Sequence, residues 1–278
     1  MQRKLFSILG LALAVTALAF APSASAWAPA DQATIHPGVQ VFTEGAQCTS
    51  NFVFQDGSNV YLGQAAHCSG TGAATDTDGC SSESLPIGTP VDITGASKPG
   101  TLVYNSWLTM QGNGEADADT CAYNDLALIK IDPADAGSVN PSVPGFGGPT
   151  GVGSWGGAGS TVYTYGNSEL RGGVAALSPK QGVVLQNAAS GWSHDVYTAT
   201  PGIPGDSGSG FLSANGGAIG VLSTVQLAPL AGSNGVGDLP KEIAYMHGHS
   251  AFGGVNLVPG TEPFNADTVG AVIKGIGL

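Results

Sequence analysis

The chain has few charged residues: Asp, Glu, Lys and Arg make up only 10% of its 278 residues, against about a quarter in ordinary globular proteins. Basic residues are the scarcer kind, at 8 against 20 acidic ones, and Arg171 is the only arginine after residue 26. The formal net charge is −12, and it becomes −14 without Arg3 and Lys4. Such an acidic chain argues against nucleic acid or an anionic membrane as its partner.

Long apolar runs are also rare, since only one occurs, at residues 5–20. It follows the basic pair Arg3-Lys4 and precedes Ala24-Ser25-Ala26, a small-x-small cleavage signal. This order predicts a secretory signal peptide over 1–26. A membrane anchor is the alternative, which the shortness of the run and the adjacent cleavage site disfavour. We therefore expect removal near Ala26 and a secreted, soluble, monomeric product.

The four cysteines include no C-x-x-C pair, so a zinc ribbon has no support. An even number in an exported chain predicts two disulfides. From the residues alone, three pairings of Cys48, Cys68, Cys80 and Cys121 are open.

Helix-period patterns are scarce, and short β-rich runs between turn residues dominate the chain. A hairpin around Asp56-Gly57 is predicted, with strands at 51–55 and 59–62. Further strands are predicted at 90–94, 101–107, 125–131, 160–165, 182–186, 195–200, 208–212 and 218–225. This even spacing, together with 44 glycines, indicates an all-β fold of barrels or sandwiches. Only 266–276 has helical spacing, with Asp267 as a possible cap.

The Gly/Pro-rich passage 141–159 is the best candidate for a linker between two domains. It separates an N-terminal half, 27–140, from a C-terminal half, 160–278, which would end in the short helix. A single long surface loop is the alternative interpretation of this passage.

The segment GDSGSG, residues 205–210, places Ser207 between glycines and directly after an acid. A serine nucleophile needs a base, an acid that orients the base, and N–H groups aimed at the developing oxyanion. The N–H groups of Gly205 and Ser207 are the natural donors.

Only five histidines occur, at positions 36, 67, 194, 247 and 249, and His67 stands out because it follows a β-rich run and precedes Cys68. Asp125 opens an apolar strand, where a carboxylate requires a partner.

The segments Ala65-Ala66-His67-Cys68, Asn124-Asp125-Leu126-Ala127-Leu128-Ile129 and GDSGSG together resemble the three catalytic blocks of chymotrypsin/trypsin-like serine peptidases, in that family's order. The chain looks most similar to the secreted bacterial branch. The resemblance implies two six-stranded antiparallel β-barrels with the site between them. It also implies roles for His67 as general base, Asp125 as its orienting acid and Ser207 as acyl-enzyme nucleophile.

The same resemblance implies a disulfide between Cys48 and Cys68, which leaves Cys80–Cys121 as the second bridge. The chain departs from the family at the N-terminus, because no Ile/Val-Val-Gly-Gly start is present whose amino group could pair with Asp206. Bacterial relatives use an internal arginine for this purpose, so we expect a pair between Asp206 and Arg171. A solvated arginine on a loop is the alternative.

The family pattern also suggests which residues contact the substrate. Pro201 occupies the position that is acidic in members selecting Arg or Lys, so a preference for basic residues has no support. Ser223-Thr224-Val225 matches the strand that pairs with an extended substrate, and Val225 replaces the usual open glycine. We expect a protein or peptide substrate with small or medium apolar side chains at the cleaved bond.

No cofactor and no metal are expected. His247-Gly248-His249 would bring two imidazoles together in an extended chain, but a polar loop is the commoner case. The acidic pairs Asp76/Asp78 and Asp117/Asp119 do not have the ordered pattern of an EF-hand loop.

Two other functions compete with a secreted serine endopeptidase: an esterase that uses the same triad, and a non-catalytic binding module on the same scaffold. The chain lacks the Gly-x-Ser-x-Gly motif that is usual in such esterases. Binding modules of this kind usually lose a triad member, and this chain has all three.

Overall fold

The computed structural model describes residues 27–73 and 75–268. The predicted signal peptide, and the predicted helix at 266–276 beyond Thr268, lie outside these residues. The fold is mostly β, as predicted, with two antiparallel sheets. Among the described residues, no helix is long and apolar enough to cross a membrane.

The N-terminal half supplies seven strands to the first sheet: β1 (Gln40–Thr43), β2 (Ala46–Thr49), β3 (Val53–Asp56), β4 (Asn59–Ala65), β5 (Pro90–Ile93), β6 (Gly100–Asn105) and β7 (Leu126–Lys130). The C-terminal half forms the second sheet from six strands: β8 (Thr161–Tyr165), β9 (Pro179–Ala188), β10 (Ser193–Ala199), β11 (Gly210–Ser213), β12 (Ala218–Gln226) and β13 (Ser233–Asp238). The segment predicted as a linker, 141–159, has no strand of either sheet.

The second sheet closes into the expected six-stranded barrel, in the order β10-β13-β12-β11-β8-β9. Burial alternates along the first six residues of β9, where every second residue faces the barrel interior. The interior is filled by one apolar cluster: Val162, Val184, Val196, Phe211, Ile219, Leu222 and Val236.

The first sheet differs from the expected six strands, because it has eight in the order β14-β3-β4-β7-β6-β5-β1-β2. The eighth, β14 (Asn256–Leu257), comes from the C-terminal half and pairs with β3. The end of the chain therefore returns to the first sheet. At the centre of this sheet, β4 and β7 pair with Ala65 opposite Leu126 and are almost wholly buried.

Three α-helices contradict the expectation that helix would be confined to the C-terminus: α1 (Ser106–Asn113), α2 (Ala118–Tyr123) and α3 (Leu239–His249). The predicted strand at 101–107 ends at Asn105, because the Asn105 side chain accepts hydrogen bonds from the Trp107 and Leu108 N–H groups and so caps α1. Asp238 caps α3 in the same way and is followed by a proline in the first turn. The sequence Asp-Leu-Pro-Lys-Glu at 238–242 carried this signal, which the strand-based interpretation missed.

Candidate active site

The first component of the site is a hydrogen-bonded pair, His67 and Asp125. His67 lies in the turn that follows β4, and Asp125 directly precedes β7, so the pairing of these two strands brings them together. His67 Nδ1 lies 2.7 Å from Asp125 Oδ2, and the His67 backbone N–H donates to Asp125 Oδ1 at 2.9 Å. Asp125 is buried and His67 is partly exposed. The imidazole is therefore held with Nε2 as its free nitrogen.

Ser223, which the resemblance placed against substrate, has a different contact in the structure. Its hydroxyl donates to Asp125 Oδ2 at 2.6 Å. Because Ser223 belongs to β12 of the barrel, this bond ties the barrel to the first sheet at the buried acid. Sequence reasoning placed Ser223 at the site but did not find this bond.

Asp125 also sets the proton affinity of the imidazole. Burial lowers the pKa of His67, but the charge of Asp125 and its hydrogen bond outweigh burial, so the pKa lies above the ordinary 6.5. The pair can therefore take up a proton from a neighbouring group and hold it as an imidazolium.

Ser207 lies in the same cleft as His67, a cavity of about 580 Å³ between the two sheets. Two backbone bonds fix its turn, since Thr49 N–H donates to the Ser207 carbonyl and Gly208 N–H to the Leu222 carbonyl, each at 2.8 Å. No hydrogen bond joins Ser207 Oγ to His67 in the described part of the chain. Such bonds often form only once substrate is bound.

The backbone before Ser207 leaves two N–H groups free. Within residues 27–73 and 75–268, neither Gly205 N–H nor Ser207 N–H has a protein acceptor, whereas the intervening Asp206 N–H bonds to the Ile203 carbonyl. Gly205 has φ +92°, and a side chain there would collide with Gln47 and Ser168. Two free N–H groups flanking one residue form a pocket for an anionic oxygen.

Asp206, fully buried, has the predicted partner and a second one. Arg171 Nη2 and Lys180 Nζ each lie 2.7 Å from its Oδ2 atom. Burial raises the pKa of Asp206, but the two cations outweigh it and keep the carboxyl ionised. Burial also lowers the pKa of Lys180 to about 8, against the opposing pull of Asp206. Sequence reasoning missed Lys180, although the alternation of β9 places it on the same inward face as Val184.

Replacing Lys180 with methionine is expected to reduce the free energy of unfolding by about 3 kcal/mol, because a buried carboxylate loses one of its two cations. The matched control is Lys98→Met, which removes an exposed lysine 3.4 Å from Asp132 and should cost less than about 1 kcal/mol. Urea unfolding of both variants measures the difference. Equal losses would show that Lys180 is not needed to hold Asp206.

Two of the three remaining predicted contact residues lie along one wall of the cleft. Thr224 and Val225 line it together with Ser223, and Val225 is 53% exposed. Pro201 is not among the lining residues, because its carbonyl is turned toward Arg171 and accepts a bond of 2.8 Å. Ile203 and Pro204 line the cleft at that point instead.

Both expected disulfides are present: Cys48–Cys68, which the resemblance implied, and Cys80–Cys121, the pairing that then remained. The first anchors the turn of His67, and the second joins the following loop to α2.

The side chains considered for metals have other contacts. His247 and His249 lie on α3, and their rings bond the carbonyls of Val255 and Tyr245. Asp117 caps α2, while Asp76 and Asp78 accept backbone N–H groups of their own loop.

No known family model matches the chain, and no curated protein does. Solved structures do match. Protease A of Thermobifida fusca is 20% identical with a TM-score of 0.52, over 81% of this chain and 99% of that one. A glutamic acid specific serine protease, described as using a histidine triad in substrate binding, is 17% identical with a TM-score of 0.51, over 81% and 100%. These likenesses establish the fold as that of the bacterial chymotrypsin-like serine proteases.

Proposed function

We propose that the protein is a secreted serine endopeptidase in which Ser207 is the nucleophile, His67 the general base and acid, and Asp125 the residue that orients His67. The observation that carries the proposal is the hydrogen-bonded Asp125–His67 pair in one cleft with Ser207, beside the free N–H groups of Gly205 and Ser207. Nucleophile, base, orienting acid and oxyanion donors are the parts that acyl transfer requires.

In the proposed reaction, Ser207 Oγ attacks the peptide carbonyl while His67 Nε2 takes the hydroxyl proton. The carbonyl oxygen becomes negative and accepts bonds from the two free N–H groups. His67 then gives the proton to the leaving amine, which departs and leaves an acyl-enzyme. Water enters, gives a proton to His67 and attacks the ester. His67 then returns that proton to Ser207 Oγ as the acid departs, which restores the free serine.

The wall of Thr224 and Val225 indicates the substrate class. An extended peptide can pair with the edge of this strand, so that backbone bonds give affinity and adjoining pockets give selectivity. Val225 lines the cleft, where its side chain would reduce the space left for a substrate side chain. We propose small or medium apolar residues at the cleaved bond. The neighbour's histidine triad is not carried over, since His67 is the one histidine lining the cleft among the described residues.

Replacing Val225 with glycine should widen the pocket and favour larger side chains. We expect the ratio of kcat/KM for a phenylalanine peptide to that for an alanine peptide to rise about tenfold or more, since one or two methylenes in a pocket are worth that much. Val183→Gly is the control, because Val183 is similarly exposed on β9 but does not line the cleft. An unchanged ratio in the Val225 variant would argue against this pocket assignment.

Hydrolysis of casein by the purified protein, compared with hydrolysis of a simple ester, tests the proposal. Cleavage of casein that a fluorophosphonate blocks is the expected result. Ester cleavage with intact casein would favour an esterase, and no hydrolysis of either would favour a binding module.

The two disulfides fit an oxidising compartment. N-terminal sequencing of the exported protein should show a first residue near Trp27.

A further inference from the structure

Glu242 lies behind the Asp125–His67 pair, on the first turn of α3, and is fully buried. Its Oε1 atom accepts a hydrogen bond of 2.9 Å from the backbone N–H of Asp125. Helix α3 belongs to the C-terminal half, and Asp125 to the first sheet. The bond therefore crosses between the halves at the residue that orients His67.

The neighbouring backbone makes room for this carboxyl group. A side chain at Gly237 on β13 would overlap Glu242 Oε1 and approach the carbonyl of Tyr123. Glycine at that position lets Glu242 reach Asp125.

The second oxygen, Oε2, is buried and has no hydrogen-bond partner among the described residues. The same holds for the side-chain amide of Asn124, next to Asp125 in the chain, and for the hydroxyl of Tyr104. Among the described residues, one oxygen of this acid is thus shielded from bulk solvent and has no protein hydrogen-bond partner.

In this setting Glu242 is held as the neutral acid. Burial raises its pKa well above 4.5, and the charges of Asp125 and Asp238 raise it further, against the lowering effect of the Asp125 N–H bond. Tyr104, the other titratable group that interacts with it, is itself neutral, because burial raises its pKa above 10. A neutral acid accepts the Asp125 N–H through its carbonyl oxygen without placing a second negative charge beside His67.

We propose that Glu242 is a positioning residue for the triad: it fixes the backbone of Asp125 and, through Asp125, the orientation of His67. This inference rests on the proposed function. Two contacts from the C-terminal half meet at Asp125: Glu242 accepts a bond from its N–H group, and Ser223 donates to its carboxylate.

Three substitutions separate positioning from charge. Glu242→Gln keeps a neutral carbonyl acceptor, so kcat, KM and the acid limb of the pH profile should stay close to wild type. Glu242→Asp draws the carboxyl back by one methylene, and Glu242→Leu removes it. Both should lower kcat about 10- to 100-fold with little change in KM, since a small misplacement of catalytic groups costs up to about 10² in rate. Asp195→Leu is the control. It removes a buried carboxyl group from β10 of the barrel and should leave kcat unchanged.

A readout independent of turnover is the low-field proton resonance of the His67 Nδ1–H group. It should persist in Glu242→Gln and shift or broaden in Glu242→Asp. Should Glu242→Leu fail to fold, Glu242→Asp decides: wild-type kcat and an unmoved resonance in that variant overturn the inference. A tenfold loss in Glu242→Gln would also overturn it. If the wild type hydrolyses nothing and Ser207 takes no label, the proposed function fails instead, and the resonance still tests the coupling of Glu242 to His67.

Discussion

Replacing Ser207 with alanine is expected to lower kcat for peptide hydrolysis by about 10⁵- to 10⁶-fold while KM changes little. The hydroxyl is the only proposed nucleophile, and its loss leaves just the oxyanion donors and substrate binding to favour reaction. The fold should be unaffected, because the backbone bonds of the turn do not involve the side chain. Steady-state kinetics on a peptide substrate, with circular dichroism as a check of folding, measures the effect.

Two further variants sharpen this expectation. Ser213→Ala removes a hydroxyl from the turn between β11 and β12, where it bonds Asn215, and should keep its kcat. Combining Ser207→Ala with His67→Ala should cost little more than either change alone, because the groups act as one unit. Residual activity of a few per cent in Ser207→Ala would mean that another group attacks the substrate.

The second large effect is expected from Asp125→Asn, with a loss in kcat of about 10⁴-fold. Asparagine preserves the shape but not the charge, so it neither stabilises the imidazolium nor enforces the tautomer with a proton on His67 Nδ1. Asp132→Asn, which alters a partly exposed carboxylate two residues beyond the end of β7, should leave kcat unchanged.

The pH profile should change as well. The free base form of His67 is the active one, so the wild-type rate falls as the pH drops through the pKa of His67. That pKa lies above 6.5 because of Asp125. In Asp125→Asn this elevation is lost, and the acid limb should move to lower pH while the plateau falls. A limb that stays in place would show that Asp125 does not govern the protonation of His67.

The sequence predicted several contacts of the candidate site. The Cys48–Cys68 and Arg171–Asp206 contacts were expected from the family resemblance, and Cys80–Cys121 as the pairing that then remained. The histidine, aspartate and serine blocks are short segments that occur in the family's order along the chain. Their catalytic roles stay predictions until the kinetics are measured.

The parts that the sequence did not predict depend on contacts between distant segments. Lys180 and Glu242 look like ordinary polar residues of a strand and a helix, and only the tertiary fold places Lys180 against Asp206 and Glu242 against Asp125. The helices α1 and α3 begin at caps that are short signals within glycine-rich sequence, and β14 has two residues, too few to show a period. In each case the tertiary fold, rather than local propensity, decides the outcome.

The most direct test of the central claim is to treat the native protein with a fluorophosphonate and locate the adduct by peptide mass spectrometry. We expect one adduct, on Ser207 Oγ, which forms rapidly in the wild type. In His67→Ala the adduct should form at least about 10³-fold more slowly, because a serine hydroxyl is a poor nucleophile without its base. An adduct on another residue, or labelling of Ser207 at the same rate in both proteins, would contradict it.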